Sequence, residues 1–185
     1  MIDDVLTDAS RRMDKSVETA KHEFTSIRTG RASAALLDRI QVSAYGTKMP
    51  VNQLATISVP EPRLLTITPF DKSIMKDIER AIQESDLGLT PSNDGQIIRL
   101  PIPQLTEERR KELVKQVRHM AEEGRVAARN VRRDALHNLK KLEQDGEAGA
   151  DDVHRAEDRL QKVTDEHVQR IDTALKAKEA EIMEV

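Results

Sequence analysis

Cysteine and tryptophan are absent from this 185-residue chain. Without cysteine the sequence has no disulfide framework, thiol nucleophile, thiolate zinc site or iron–sulfur cluster, which fits a reducing compartment. Only Phe24, Tyr45 and Phe70 are aromatic. Proteins that bind single-stranded nucleic acid stack bases on aromatic platforms, so three scattered rings argue against that kind of surface.

Sequence motifs for catalysis and nucleotide binding are also missing. The seven glycines form no phosphate loop and no dinucleotide fingerprint, and the five histidines show no metal-binding pair at helical spacing. No serine lies in a nucleophile elbow, and the pair Asp151-Asp152 fits the start of a helix better than a catalytic dyad. We therefore expect a protein that is not an enzyme and that uses no cofactor and no metal.

Membrane and export signals are not apparent either. The acidic N-terminus enters a helical pattern at once, and no uninterrupted apolar segment is long enough to span a bilayer. These features predict a soluble, cytoplasmic protein.

The charge, in contrast, is abundant and unevenly placed: residues 104–133 carry a net charge of +4, whereas residues 134–185 carry −6. Such polarity would let one face dock on phosphate while the remainder repels it.

The basic segment places its cations on one side of a predicted helix, which we call the arginine strip. At about 100° per residue its members fall within roughly 60° of one another. They are Lys111, Arg118, Arg125, Arg129 and Arg132. An apolar face lies roughly 120° away, so the strip is expected to face solvent. Arginine suits the phosphates and exposed bases of folded RNA, although a merely solvated helix face remains an alternative.

Apolar residues repeat at threes and fours in three long segments, which predicts three amphipathic helices. A β-rich stretch with one short helix interrupts them after the first. The economical topology is α+β: a long three-helix bundle from residues 1–29 and 105–185, with a small α+β (β/α/β) domain at 31–103 inserted between helices 1 and 2.

The two joints between these modules contain glycine or proline and have no apolar stripe, which predicts hinges at 29–31 and 101–104. The hinge candidates are Thr29, Gly30, Arg31, Pro101, Pro103 and Gln104. A rigid interface between the modules, with an ordinary helix stop and loop proline, remains the competing explanation.

Several strings of residues occur along the chain in the order that one protein family has them. They include Ile27-Arg28-Thr29-Gly30-Arg31-Ala32-Ser33, Ile98-Arg99-Leu100-Pro101-Ile102-Pro103, Leu105-Thr106-Glu107-Glu108-Arg109-Arg110 and Arg129-Asn130-Val131-Arg132-Arg133-Asp134. Through them the chain resembles the ribosome recycling factors over essentially its full length. Ala34, Ala44 and Leu136-His137 depart from the family pattern, which puts only local packing and contacts in doubt.

The resemblance implies an L-shaped protein that binds the large ribosomal subunit of the 70S ribosome after termination. With elongation factor G, which itself binds the GTP, such a factor splits the ribosome into subunits and releases mRNA and tRNA. It also implies rRNA contacts by Arg132 and Arg129, with Arg28 and Arg31 at the joint as further candidates. Arg125, Arg118 and Arg133 are candidates mainly from helix geometry. We expect a monomer that binds neither membrane nor DNA.

Two other functions stay open from the residues alone. One is a helical adaptor or chaperone whose arginine strip meets an acidic protein. The other is a hydrolase acting on ribosomal RNA, which the lack of any acid–base constellation disfavours.

Overall fold

A computed structural model describes residues 1–184 of the chain. The elements follow the order α1 (Ile2–Thr25), β1 (Gln41–Ala44), β2 (Thr47–Pro50), α2 (Val51–Leu54), β3 (Ala55–Glu61), β4 (Leu64–Pro69), α3 (Met75–Gln83), β5 (Ser92–Asn93), β6 (Ile98–Pro101), α4 (Glu107–Gln144) and α5 (Ala150–Met183). This confirms the predicted α+β class with three long helices and a small sheet module.

The chain divides into two compact units. Unit 1 comprises Met1–Ile27 and Lys111–Ala180, and unit 2 comprises Arg28–Arg110 with the residues from Glu181 onward. Unit 1 therefore contains α1 and most of α4 and α5, whereas the six strands found in the described residues lie in unit 2.

Unit 1 is held together by one apolar stripe from each long helix. Leu6, Met13 and Val17 are buried on α1, as the spacing of threes and fours predicts. The three helices approach closely at Gly124 of α4, where a Cβ atom would lie 3.1 Å from Ala20 Cβ and 3.2 Å from Ile171 Cδ1. Glycine at this position lets α1 and α5 pack against the backbone of α4.

The helix α4 runs without a break over 38 residues. Thr106 accepts a hydrogen bond from the backbone N–H of Arg109 at 3.1 Å, which confirms it as the predicted N-terminal cap. The buried face consists of Leu113, Val117, Ala121, Gly124, Ala128, Val131, Ala135 and Leu139. Met120 and Leu142, which the periodicity places on that face, are only half-buried. Small alanines take the central positions because the helix axes lie close together there.

Unit 2 is built on antiparallel strands. Its four-stranded sheet has the order β3-β4-β6-β5, and β1 and β2 form a separate hairpin. Tyr45 and Gly46, with φ of 54° and 79°, make the hairpin turn, and two successive positive φ values are typical of a tight two-residue connection. The core of unit 2 is aliphatic, with Leu65, Ile67 and Ile98 fully buried, whereas Tyr45 is exposed.

Candidate nucleic-acid interface

The arginine strip lies on the unit 1 part of α4, but its members meet different partners. Arg118 donates from Nε to Glu179 Oε1 at 2.8 Å. That hydrogen bond, reinforced by the charge of Glu179, raises the pKa of Arg118 above its ordinary value. Glu179 belongs to α5, so this cation already has an anionic partner on the neighbouring helix.

Arg125 is largely enclosed, with 19% of its side chain exposed. Its Nε donates to Asp172 Oδ1 of α5 at 2.7 Å, and its Nη1 donates to Glu122 Oε2 at 2.8 Å. Burial disfavours the charged form, but the hydrogen bonds to Asp172 and Glu122 outweigh it and raise the pKa of Arg125. The expectation of a strip that faces only solvent is therefore wrong at this position.

Arg129 shares the carboxylate of Glu122. Its Nη1 lies 3.4 Å from Glu122 Oε1, and 45% of its side chain is exposed. The contact is longer than those of Arg118 and Arg125, so the guanidinium of Arg129 is only loosely held.

Arg132 differs because its partner is neutral. Its Nη1 donates to the amide oxygen of Gln161 on α5 at 3.0 Å, and Gln161 in turn donates from Nε2 to Asp165 Oδ1 at 2.9 Å. Within residues 1–184, Arg132 makes no ion pair, and the same holds for the exposed Arg133. Arg132 and Arg133 thus keep more of their positive charge available than Arg118 and Arg125 do.

The two arginine candidates near the first joint both lie in unit 2. Arg28 is half-buried and donates from Nη1 to the carbonyl oxygen of Leu87 at 2.8 Å. Arg31 forms an ion pair with Glu184 and keeps about half of its side chain exposed, at 52%. Arg31 is therefore the more accessible of the two.

The hinge candidates have unequal surroundings. Thr29 is 4% exposed and donates from Oγ1 to Glu181 Oε1 at 2.9 Å. A Cβ atom on Gly30 would meet nothing within 4 Å. Pro101 ends β6 opposite Leu64, while Pro103 and Gln104 are exposed.

Comparison with known proteins gives the family. The family described as "Ribosome recycling factor" matches residues 20–183. This chain belongs to the ribosome recycling factor family. A ribosome-recycling factor from Rubrobacter xylanophilus is 63% identical over 180 residues, covering 97% of each chain. One from Halalkalibacterium halodurans is 58% identical over the full length of both.

Solved structures agree with this membership. The solution structure of a ribosome recycling factor matches with a TM-score of 0.78 and 43% identity, covering 100% of this chain and 98% of the other. A second match, with a TM-score of 0.68 and 46% identity over all of both chains, is the Thermus thermophilus ribosome recycling factor in a structure with Escherichia coli elongation factor G bound to the Escherichia coli post-termination complex.

Ribosome recycling factors are non-enzymatic translation factors, and this chain is one of them by family. In the described part of the chain, no group of three or more histidine or acidic side chains is placed to hold a metal ion. Nor does any helix within residues 1–184 have the length and apolar character needed to cross a membrane.

The polar contacts between the helices of this recycling factor are not predicted by the sequence pattern. Gln161 has no feature in the sequence that marks it as a partner of Arg132, because the two residues meet only when α4 and α5 pack. A second example is His167, which is 2% exposed and lies with Nε2 2.7 Å from Asp14 Oδ1 on α1. The one feature of the sequence that indicated burial of His167 was its position in the apolar repeat of α5.

Proposed function

We propose that this recycling factor acts on the 70S ribosome after termination, in the cytoplasm. Together with elongation factor G, which binds and hydrolyses the GTP, it separates the ribosome into subunits, so that mRNA and tRNA leave and a new round of initiation begins. Family membership supports this role. The structure of a similar factor with elongation factor G on the post-termination complex supports the pairing of the two proteins.

The α4 helix anchors the factor on the rRNA of the large subunit. The observation that carries this proposal is the free charge of Arg132 and Arg133, which have no carboxylate partner within the described residues. Guanidinium groups fork onto phosphate oxygens, and a rigid helix presents them at fixed spacing. Arg129 adds a loosely held third cation. No covalent step is involved, because binding and position are all that the anchor supplies.

The other candidates make smaller contributions to the anchor. Arg31 is accessible enough to contact rRNA, although a phosphate must compete with Glu184. Arg28 gives one donor to Leu87 and keeps others. Arg118 and Arg125 would have to exchange Glu179 and Asp172 for a phosphate, and the enclosure of Arg125 makes that exchange costly.

The two modules move relative to each other during recycling. In this proposal the bundle, residues 1–29 and 105–185, stays on the rRNA while the module at 31–103 pivots and receives force from elongation factor G. The boundary between the two compact units at Ile27 and Arg28 supports a pivot near 29–31, and the prolines at positions 101 and 103 are the reason for proposing the second pivot at 101–104. Since the chain has no cysteine, a cysteine introduced into each unit gives a specific cross-link. The cross-linked protein should bind ribosomes and fail to split them, and splitting at the normal rate would refute the pivot.

Replacement of Arg132 by glutamine tests the anchor. We expect the dissociation constant for purified large subunits to rise about tenfold or more, because a charged hydrogen bond to phosphate is lost. The slope of log affinity against log salt should become shallower by about one. Ribosome pelleting at several salt concentrations measures both quantities, and circular dichroism checks the fold.

Arg155→Gln is the matched control for that experiment. Arg155 is an exposed arginine of α5 whose partner is Asp152, one turn earlier on the same helix. The Arg155→Gln variant should bind large subunits as tightly as the parent protein does. Undiminished binding by a folded Arg132→Gln variant would overturn the assignment of Arg132 as an anchor.

A further inference from the structure

We propose that Gln161 is a positioning residue for Arg132: it fixes the guanidinium toward rRNA with a neutral oxygen and so leaves the charge of Arg132 available. This inference rests on the proposed rRNA anchor, because it concerns how the anchor is aimed. It assigns a binding role to α5, which carries none of the candidate arginines.

The orientation of the Gln161 amide is set by its second contact. The carboxylate of Asp165, one helical turn further along α5, only accepts hydrogen bonds when ionised. The amide nitrogen of Gln161 therefore faces Asp165 at 2.9 Å, which turns the amide oxygen toward Arg132 at 3.0 Å. Arg132, Gln161 and Asp165 thus form a chain of hydrogen bonds from α4 to α5.

One contact to a neutral oxygen restrains Arg132 without occupying it. A guanidinium has five N–H donors, and Gln161 takes one of them. The side chain is half-buried, so its stem is held by its surroundings while its remaining donors stay available to a phosphate. A pre-oriented guanidinium loses less conformational freedom on binding than a mobile one.

The neutrality of Gln161 distinguishes this contact from the others in the strip. Arg118 meets Glu179, and Arg125 meets Asp172 and Glu122, so each of these arginines already has a carboxylate that a phosphate must displace. At Arg132 the nearest carboxylate in the hydrogen-bond chain, that of Asp165, is separated from the guanidinium by an amide. Attraction of rRNA phosphate is therefore strongest where the structure places glutamine instead of glutamate.

Gln161→Glu tests the neutrality directly, since it changes the charge at nearly constant shape. We expect an ion pair between Arg132 and the introduced carboxylate, about tenfold weaker binding to purified large subunits, and a salt slope shallower by about one. The ion pair with Arg132 stabilises the contact between α4 and α5, but the carboxylate at position 161 loses the hydrogen bond to Asp165 and repels it one turn away, so we expect the melting temperature to fall slightly. Gln161→Ala separates orientation from charge: it should weaken binding a few-fold and leave the salt slope unchanged.

Gln169→Glu is the matched control. Gln169 is an exposed glutamine of the same helix whose side chain donates to Thr173 and, within residues 1–184, forms no hydrogen bond with an arginine. It receives the same charge about two turns away, and we expect less than about a twofold change in binding. In the Arg132→Gln background, Gln161→Glu should have no more effect than Gln169→Glu, because it acts through Arg132.

The outcomes separate this inference from the proposed function. If Arg132→Gln weakens binding and Gln161→Glu behaves like Gln169→Glu, the positioning role is wrong and the anchor stands. If Gln161→Glu weakens binding equally with and without Arg132, the positioning role is also wrong. If Arg132→Gln itself binds normally, the anchor fails first and the positioning role fails with it.

Discussion

Two stretches of α4 look alike in sequence and differ in the folded bundle. In the stretch from Arg118 to Arg125, both arginines are paired with carboxylates of α5. In the next stretch, Arg132 meets a neutral amide and Arg133 meets no described carboxylate. Arg129 lies between them, with one long contact to Glu122.

Like charges in a row on one helix are therefore not equivalent as binding groups. The partner helix decides which cations stabilise the bundle and which remain for a ligand. A paired arginine fixes α5 against α4, whereas an unpaired one offers its charge to solvent or to rRNA.

Which arginines of α4 meet a carboxylate depends on the spacing of α4 and α5. The substitution Gly124→Leu should disrupt that spacing. The new side chain would collide with Ala20 and Ile171, which lie 3.1 and 3.2 Å from a Cβ at that position. We expect the free energy of unfolding to fall by about 3 kcal/mol. Chemical denaturation measures this change. Val126→Leu, at an exposed position of the same helix, is the control, and an equal loss in both variants would contradict the close-packing explanation.

Arg125→Met should reduce stability more than it reduces rRNA binding. The substitution leaves Asp172 and Glu122 without their shared cation, which we expect to cost about 1–2 kcal/mol of unfolding free energy. The salt slope for large-subunit binding should stay nearly constant. Arg118→Met is the comparison, because 65% of the Arg118 side chain is exposed, and exposed pairs contribute less than about 1 kcal/mol. A large drop in the salt slope with Arg125→Met would show that Arg125 also binds rRNA and would contradict the distinction between paired and unpaired arginines.

Arg133→Met should have the reverse pattern. Arg133 is exposed and has no ion pair among the described residues, so the melting temperature should remain that of the parent. Binding to large subunits should weaken roughly threefold to fivefold, and the salt slope should become shallower by up to about one. Titrations at three salt concentrations distinguish this outcome from unchanged binding, which would remove Arg133 from the anchor.

The contact between Asp14 and His167 in the bundle should make the free energy of unfolding depend on pH. The hydrogen bond from His167 lowers the pKa of Asp14 below its ordinary value, with a smaller contribution from Arg170 and with burial opposing it. Because the folded pKa lies below the unfolded one, the stabilisation is complete above about pH 4–5 and is lost as pH falls through the folded pKa. Asp14 is about half exposed, at 53%, so we expect less than about 1 kcal/mol.

Asp14→Asn should therefore lower stability at pH 7 and converge with the parent protein in strong acid. Denaturant titrations at pH 7, 5 and 3 would follow the difference. Asp158→Asn is the control, because Asp158 faces His154 in a pair whose side chains are both more than three-quarters exposed. It should match the parent at all three pH values. A constant difference for Asp14→Asn across the series would contradict the link to its carboxylate.

The parts of this fold that depend on near neighbours in the chain are predictable from the sequence. The spacing of threes and fours predicted α1, α4 and α5, and local hydrogen-bonding residues such as Thr106 marked a helix start that the structure confirms. These features depend on neighbours within a few positions. The pairing of Arg125 with Asp172, 47 residues away, could not be predicted, because nothing in either local pattern indicates the other.

Local periodicity and strings of adjacent residues are enough to predict the α+β class, the three amphipathic helices, the family and the placement of the cations on one side of α4. Which cations are neutralised, and that Gln161 meets Arg132, depends on how the helices pack. The close packing at Gly124 sets the axial alignment of α4 and α5, and this alignment determines which side chains come within hydrogen-bond distance.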